Sequence, residues 1–93
     1  MASTATWSVE IQLFEDDEGT SARAVLVTGE GPNRHRSLTG TGRSRKNPSD
    51  VEVPEIGEEV AAARALRDLA ARLLGAASED IADLEQHEVH LVR

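Results

Sequence analysis

Hydrophobic and polar residues alternate with period two up to about residue 47 and follow helical spacing beyond it, which predicts strands first and helices second. Trp7, Val9, Ile11 and Leu13 fall on one side of a strand over about residues 6–14, with Ser8, Glu10 and Gln12 on the other, the pattern of a half-buried strand. A second strand spans 21–28 after the solvated Glu15-Asp16-Asp17-Glu18-Gly19 turn. It sets Ala22, Ala24 and Leu26 against Arg23, Val25 and Val27, and the alanine side is expected to face the helices. A third strand is expected over 34–44 after the turn-rich Gly29-Glu30-Gly31-Pro32-Asn33 connection. Gly40 and Gly42 share parity with Leu38 in this strand. A glycine weakens a strand, so the pair is read as the place where a helix backbone passes close overhead.

Beyond a polar linker that includes Asn47-Pro48-Ser49-Asp50, Pro54 suits the first turn of a long helix over 55–74, because its missing N–H costs nothing there. Ala62, Leu66, Leu69 and Leu73, widened by Ala65 and Ala70, give it an apolar stripe. Gly75 reads as its C-terminal cap and Ser78 as the N-cap of a short helix over 78–86 docked by Ile81 and Leu84, leaving the tail from Gln86 as a last strand or partner-binding arm. The expected fold is α+β, one domain of order β-β-β-α-α with an antiparallel three-stranded sheet covered on one face.

Charge sharpens this picture. The chain has 10 Lys and Arg against 17 Asp and Glu, yet Arg34, Arg36, Arg43, Arg45 and Lys46 lie in a window without one acid. Five basic residues face all 17 acidic ones outside that window, so the molecule is a strong dipole. The strip suits a polyanion, and it equally suits the protein's own acidic face or that of a second copy. At 93 residues with two aromatics, Trp7 and Phe14, the core is thin, and dimerisation is an economical way to gain burial.

The helix entry, Asn47-Pro48 with Pro54-Glu55-Ile56-Gly57-Glu58-Glu59, then Ala63-Arg64-Ala65-Leu66 and Asp68-Leu69, resembles a family of small actinobacterial dormancy-associated proteins of unknown function. Trp7, the Thr20 to Leu26 segment, Gly40, Gly42, Ser78-Glu79-Asp80-Ile81 and His87 extend the resemblance over nearly the whole chain. The resemblance implies a double-stranded-RNA-binding-domain-like (dsRBD-like) sheet covered by a long and a short helix, a homodimer, and structural similarity to ribosome hibernation factors. Thr39 and Thr41 stand where such proteins tend to carry valines, and Val25 and Val27 where they carry charge.

Two functions are therefore expected. In one, a non-enzymatic stress factor contacts ribosome or RNA phosphates through Arg34, Arg36, Arg43, Arg45 and Lys46. In the other, a homodimeric interaction module uses Val25 and Val27, or an edge strand, to join two protomers. Glu55, Glu58 and Glu59 stand where a double-stranded-RNA reader needs basic residues, and they complement the helix dipole. No Ser, His and Asp sit in a constrained catalytic setting, so no enzyme is expected, nor a cofactor or small-molecule substrate. Cysteine is absent, and His87 with His90 makes a poor metal pair, so no metal is expected. With no secretory signal pattern and no apolar run of about 20 residues, a cytoplasmic setting without membrane contact is the expectation.

Overall fold

A computed structural model of the chain describes residues 2–46 and 54–92, and within the helix the side chains of residues 55–85. Three strands, β1 (Ser8–Asp16), β2 (Gly19–Thr28) and β3 (His35–Arg45), form an antiparallel sheet in the order β1-β2-β3, followed by one helix, α1 (Pro54–Val92). The strands sit within two residues of their expected bounds. The β1–β2 register runs from Ser8 opposite Val27 to Asp16 opposite Gly19. The Asp16 carboxylate closes that hairpin by accepting from the Glu18 and Gly19 N–H groups at 2.8 and 3.1 Å. The β2–β3 pairing is regular from Gly19–Arg45 to Leu26–Leu38 and then slips, so that Val27 faces Arg36 and Ser37 is the extra residue of a bulge. Without that bulge, period-two alternation would turn Arg36 to the helix side.

The core lies between α1 and the β2–β3 half of the sheet. Ala22, Ala24 and Leu26 pack against Ala61, Ala65 and Leu69, with Leu38 and Leu73 at the margin. The alanine side of β2 therefore faces the helix as expected, and so do the glycines. A Cβ at Gly40 would overlap the Leu69 N and Ala65 O, and one at Gly42 the Ala65 N and Ala61 O, so the helix backbone rests directly on these two positions. That contact also rotates the helix. Ala61, Ala65 and Leu69 form its inner row, with the two alanines beside the glycines, whereas Leu66 of the expected stripe is exposed.

Two expectations on the second half are corrected. The helices expected over 55–74 and 78–86 are one helix that also takes in the tail expected to be a strand or arm. Gly75 is not among the residues with positive φ, so it makes no left-handed cap, and nothing lies within 4 Å of where its Cβ would be. Strong helix formers on both sides carry the helix through at a local cost of about 1 kcal/mol. Ser78 does not cap either, since its hydroxyl donates back to the Leu74 carbonyl at 3.0 Å. The linker at 47–53 and the side chains of His87 and His90 lie outside the described residues.

Candidate functional site

The five basic residues of the expected phosphate strip do not form one surface. Arg34, just before β3, and Arg36, near its start, both reach Glu10 of β1, at 3.7 and 3.6 Å. Arg43 reaches Glu18 in the first hairpin at 3.2 Å, and the Lys46 N–H donates to the Glu18 carbonyl at 2.9 Å. Arg45 stands opposite Gly19 at the end of the sheet. Arg36 and Arg43 are seven residues apart, so the two groups are separated by roughly 23 Å along the strand. All of these pairs are exposed and worth at most about 1 kcal/mol each. They nonetheless assign three guanidiniums to acids of the same protomer.

Val25 and Val27 lie on the sheet face away from α1, as expected, yet they are 4% and 5% exposed. Glu10 is the neighbour of Val25 on β1, and Arg36 the neighbour of Val27 on β3. The Arg36–Glu10 pair therefore reaches over β2 between the two valines, and the bulge at Ser37 is what brings Arg36 to that face. As partner surface, Val25 and Val27 have little left to offer.

The uncovered apolar surface is elsewhere. Val9, Ile11 and Leu13 stand opposite Leu26, Ala24 and Ala22 and so share the helix-side face. Because α1 lies over β2 and β3, that row remains open: Ile11 is 38% exposed and Leu13 43%, with Trp7 just ahead of them at 57%. The half-burial expected of this strand is thus not reached within one protomer. The helix is also longer than the sheet it covers. At 39 residues it extends for about 58 Å, against about 36 Å for the 11-residue β3. Its inner row ends near Leu73, and Leu74, Ile81 and Leu84 are exposed.

The two edges of the sheet differ. On β3, the Thr41 N–H donates to Asp68 Oδ2 at 2.8 Å, and Arg64 Nη1 donates to the Arg43 carbonyl at 2.6 Å. Asp68 is also held by Arg72 at 3.1 Å. The Thr41 N–H, then Arg72, keep the Asp68 carboxyl below its ordinary range. Helix side chains thus occupy backbone groups that would otherwise recruit another strand. Among the described residues no helix side chain bonds a backbone group of β1, so its outer edge is open. Sequence reasoning missed Arg64 and Asp68 because their spacing reads as ordinary helix-surface charge.

At the helix entry, a hydrogen bond between the Glu58 and Glu15 carboxyls, then burial and the charges of Glu15 and Glu55, hold Glu58 above the usual carboxylate range. His35 locks the second turn, with Nδ1 3.1 Å from the Asn33 carbonyl and Nε2 3.1 Å from Thr28 Oγ1. Among the described residues no group of three or more His, Cys, Asp or Glu could hold a metal ion, and no helix is long and apolar enough to cross a membrane.

Residues 5–90, which take in the sheet, both edges and nearly all of the helix, match the model of the Rv2632c-like family. The chain belongs to the Rv2632c-like family. Relatives include "Uncharacterized protein Mb1767" of Mycobacterium bovis, 43% identical over 75 residues that cover 81% of this chain and 74% of the relative. Another is "Uncharacterized protein Rv2632c" of Mycobacterium tuberculosis, 40% identical over 76 residues, 82% of this chain and 76% of the relative. The crystal structure of Rv2632c superposes with a TM-score of 0.67 at 33% identity, covering 88% of this chain and 92% of that one.

Proposed function

We propose that this Rv2632c-like protein is a non-enzymatic assembly module that works as a homodimer, joined through β1. The observation that carries this reading is the asymmetry of the sheet: β1 keeps both its apolar helix-side row and its outer backbone edge uncovered, while the β3 edge is occupied. Antiparallel pairing of β1 with its copy satisfies the free backbone groups and brings two apolar rows side by side. A standard interface takes about 800 Å² from each partner. That is roughly a tenth of this protomer's 7608 Å² surface, an area that β1 with Trp7 and the exposed helix residues can supply. Light scattering on the purified protein should give twice the protomer mass. Ile11→Lys should give the protomer mass with an unchanged far-ultraviolet circular dichroism spectrum, and a monomeric wild type sinks the proposal.

A second reading has an observation of its own: Arg23, Arg43 and Arg45 share the sheet face that α1 does not cover. On this reading the protein is a cytoplasmic stress or dormancy factor that contacts ribosome or RNA phosphate. A β-β-β-α order is consistent with the dsRBD-like arrangement that goes with it. The Glu10 and Glu18 pairs weigh against it, since three of its five arginine and lysine ligands are already occupied. Density-gradient sedimentation with ribosomal subunits at two salt concentrations tests it. Co-sedimentation that weakens with salt and is lost when Arg34, Arg36, Arg43, Arg45 and Lys46 are all replaced by Gln supports this reading, and wild type remaining at the top at both salts removes it.

A further inference from the structure

The sheet face away from α1 carries an open groove of about 670 Å³ lined by Gln12, Phe14, Ser21, Arg23, Thr41 and Arg43 together with backbone of β1, β2 and β3. The register explains its shape. Phe14, Ser21 and Arg43 stand side by side across the three strands, and Gln12, Arg23 and Thr41 form the adjoining rung. In the first rung a small residue lies between two large ones, so Ser21 becomes a floor with the Phe14 ring on one side and the Arg43 guanidinium on the other. In the second rung the order reverses, and Arg23 rises from the central strand between the shorter Gln12 and Thr41. The groove therefore has an aromatic wall at one edge, two guanidiniums toward the other side and hydroxyl and amide groups between them.

Among the described residues Arg23 has no ion-pair partner, and the Glu18 that engages Arg43 is 84% exposed and easily displaced. Phe14 is 69% exposed, far more than a packing role requires. The volume lies within the range of small-molecule sites, roughly 300 to 1,000 Å³, and the combination of mostly apolar walls with a few convergent polar groups is typical of them. Guanidinium pairs suit carboxylate and phosphate, and an exposed ring suits a planar partner.

We infer that this groove binds a small molecule in which a planar ring system carries a carboxylate or phosphate, the ring stacking on Phe14 above Ser21 and the anion held by Arg23 and Arg43. The inference does not rest on the homodimer, because these six side chains point away from the helix-side row on β1 and the groove is complete in one protomer.

Amide chemical-shift titrations test it with four probes: adenosine monophosphate, salicylate, adenosine and inorganic phosphate. At least one of the first two should give saturable shifts confined to residues 12–14, 21–23 and 41–43, while adenosine and inorganic phosphate, each supplying half of the required chemistry, should not saturate. Arg23→Gln and Phe14→Ala should each weaken binding roughly tenfold or more. Both side chains are exposed, so retained spectral dispersion will show that the variants fold, and Arg36→Gln at the far end of the same face should bind as wild type does. Saturation by neither ring-bearing anion, equal binding of inorganic phosphate, shifts that map outside the groove, or full binding by Arg23→Gln each overturn the inference.

Discussion

At the scale of single residues, the two kinds of glycine in this chain make opposite predictions. Gly40 bears the helix backbone, so Gly40→Ala should force α1 away from the sheet and cost about 3 kcal/mol, the upper end of the usual range for overpacked cores, or leave the chain unfolded. Gly75 has open space around it in a helical backbone, so Gly75→Ala should stabilise by about 0.5–1 kcal/mol. Urea denaturation of the two variants checks both. Glu58 and Asp68 make a second opposed pair. The Glu58 carboxyl is raised, so the folded state holds its proton more tightly than the unfolded chain does. Its contribution is present at pH below the unfolded value and disappears as pH rises through the folded one. Glu58→Gln should therefore raise the melting temperature at pH 7 relative to wild type, and the difference should shrink as pH falls through the carboxylate range. The Asp68 carboxyl is lowered, so its contribution is present above the unfolded value and is lost as pH falls through the folded one. Asp68→Asn should consequently lose stability at pH 7 and approach wild type only in stronger acid.

At the scale of elements, strands were legible because alternation of period two survives in all three, and Gly40 and Gly42 announced the helix above them. What the pattern did not carry was rotation and reach. The apolar stripe alone favours Leu66 over Ala61, but contact with glycine rewards the smaller side chain and turns the helix by one residue. Gly75 and Ser78 resemble a helix stop and start, yet caps act only where the backbone leaves the helix, and local propensity keeps it helical here. Likewise the basic strip was plain in the sequence, whereas its division depended on the Glu10 and Glu18 partners and on the bulge at Ser37, none of which follows from spacing. The groove on the open face was invisible for the same reason, being assembled by register across three strands. The occupied edge of β3 gives a prediction at this scale. Asp68→Ala frees the Thr41 N–H, so the variant should form larger assemblies than wild type, which light scattering at increasing concentration would reveal.

For the whole molecule, mass and burial are unevenly distributed. Among the described residues every buried member of the core cluster precedes residue 70, although the chain extends 65 Å in its longest dimension. A chain ended after Leu74 should therefore retain the sheet and the helix packed on it, with a melting temperature within roughly 5 °C of the full chain when both are compared as protomers. Thermal unfolding of the Ile11→Lys variant with and without the truncation provides that comparison. A much larger fall would place part of the core in the overhanging helix.

The difference between the two sheet edges also bears on stoichiometry. A sheet open on both sides can add copies without limit, as fibrils do. Here Asp68 and Arg64 engage β3 backbone on one side, so in the proposed dimer each outermost strand of the six-stranded sheet would be a β3 whose Thr41 N–H and Arg43 carbonyl are already taken. In that assembly growth would stop at two, because the helix that completes the core also closes the ladder.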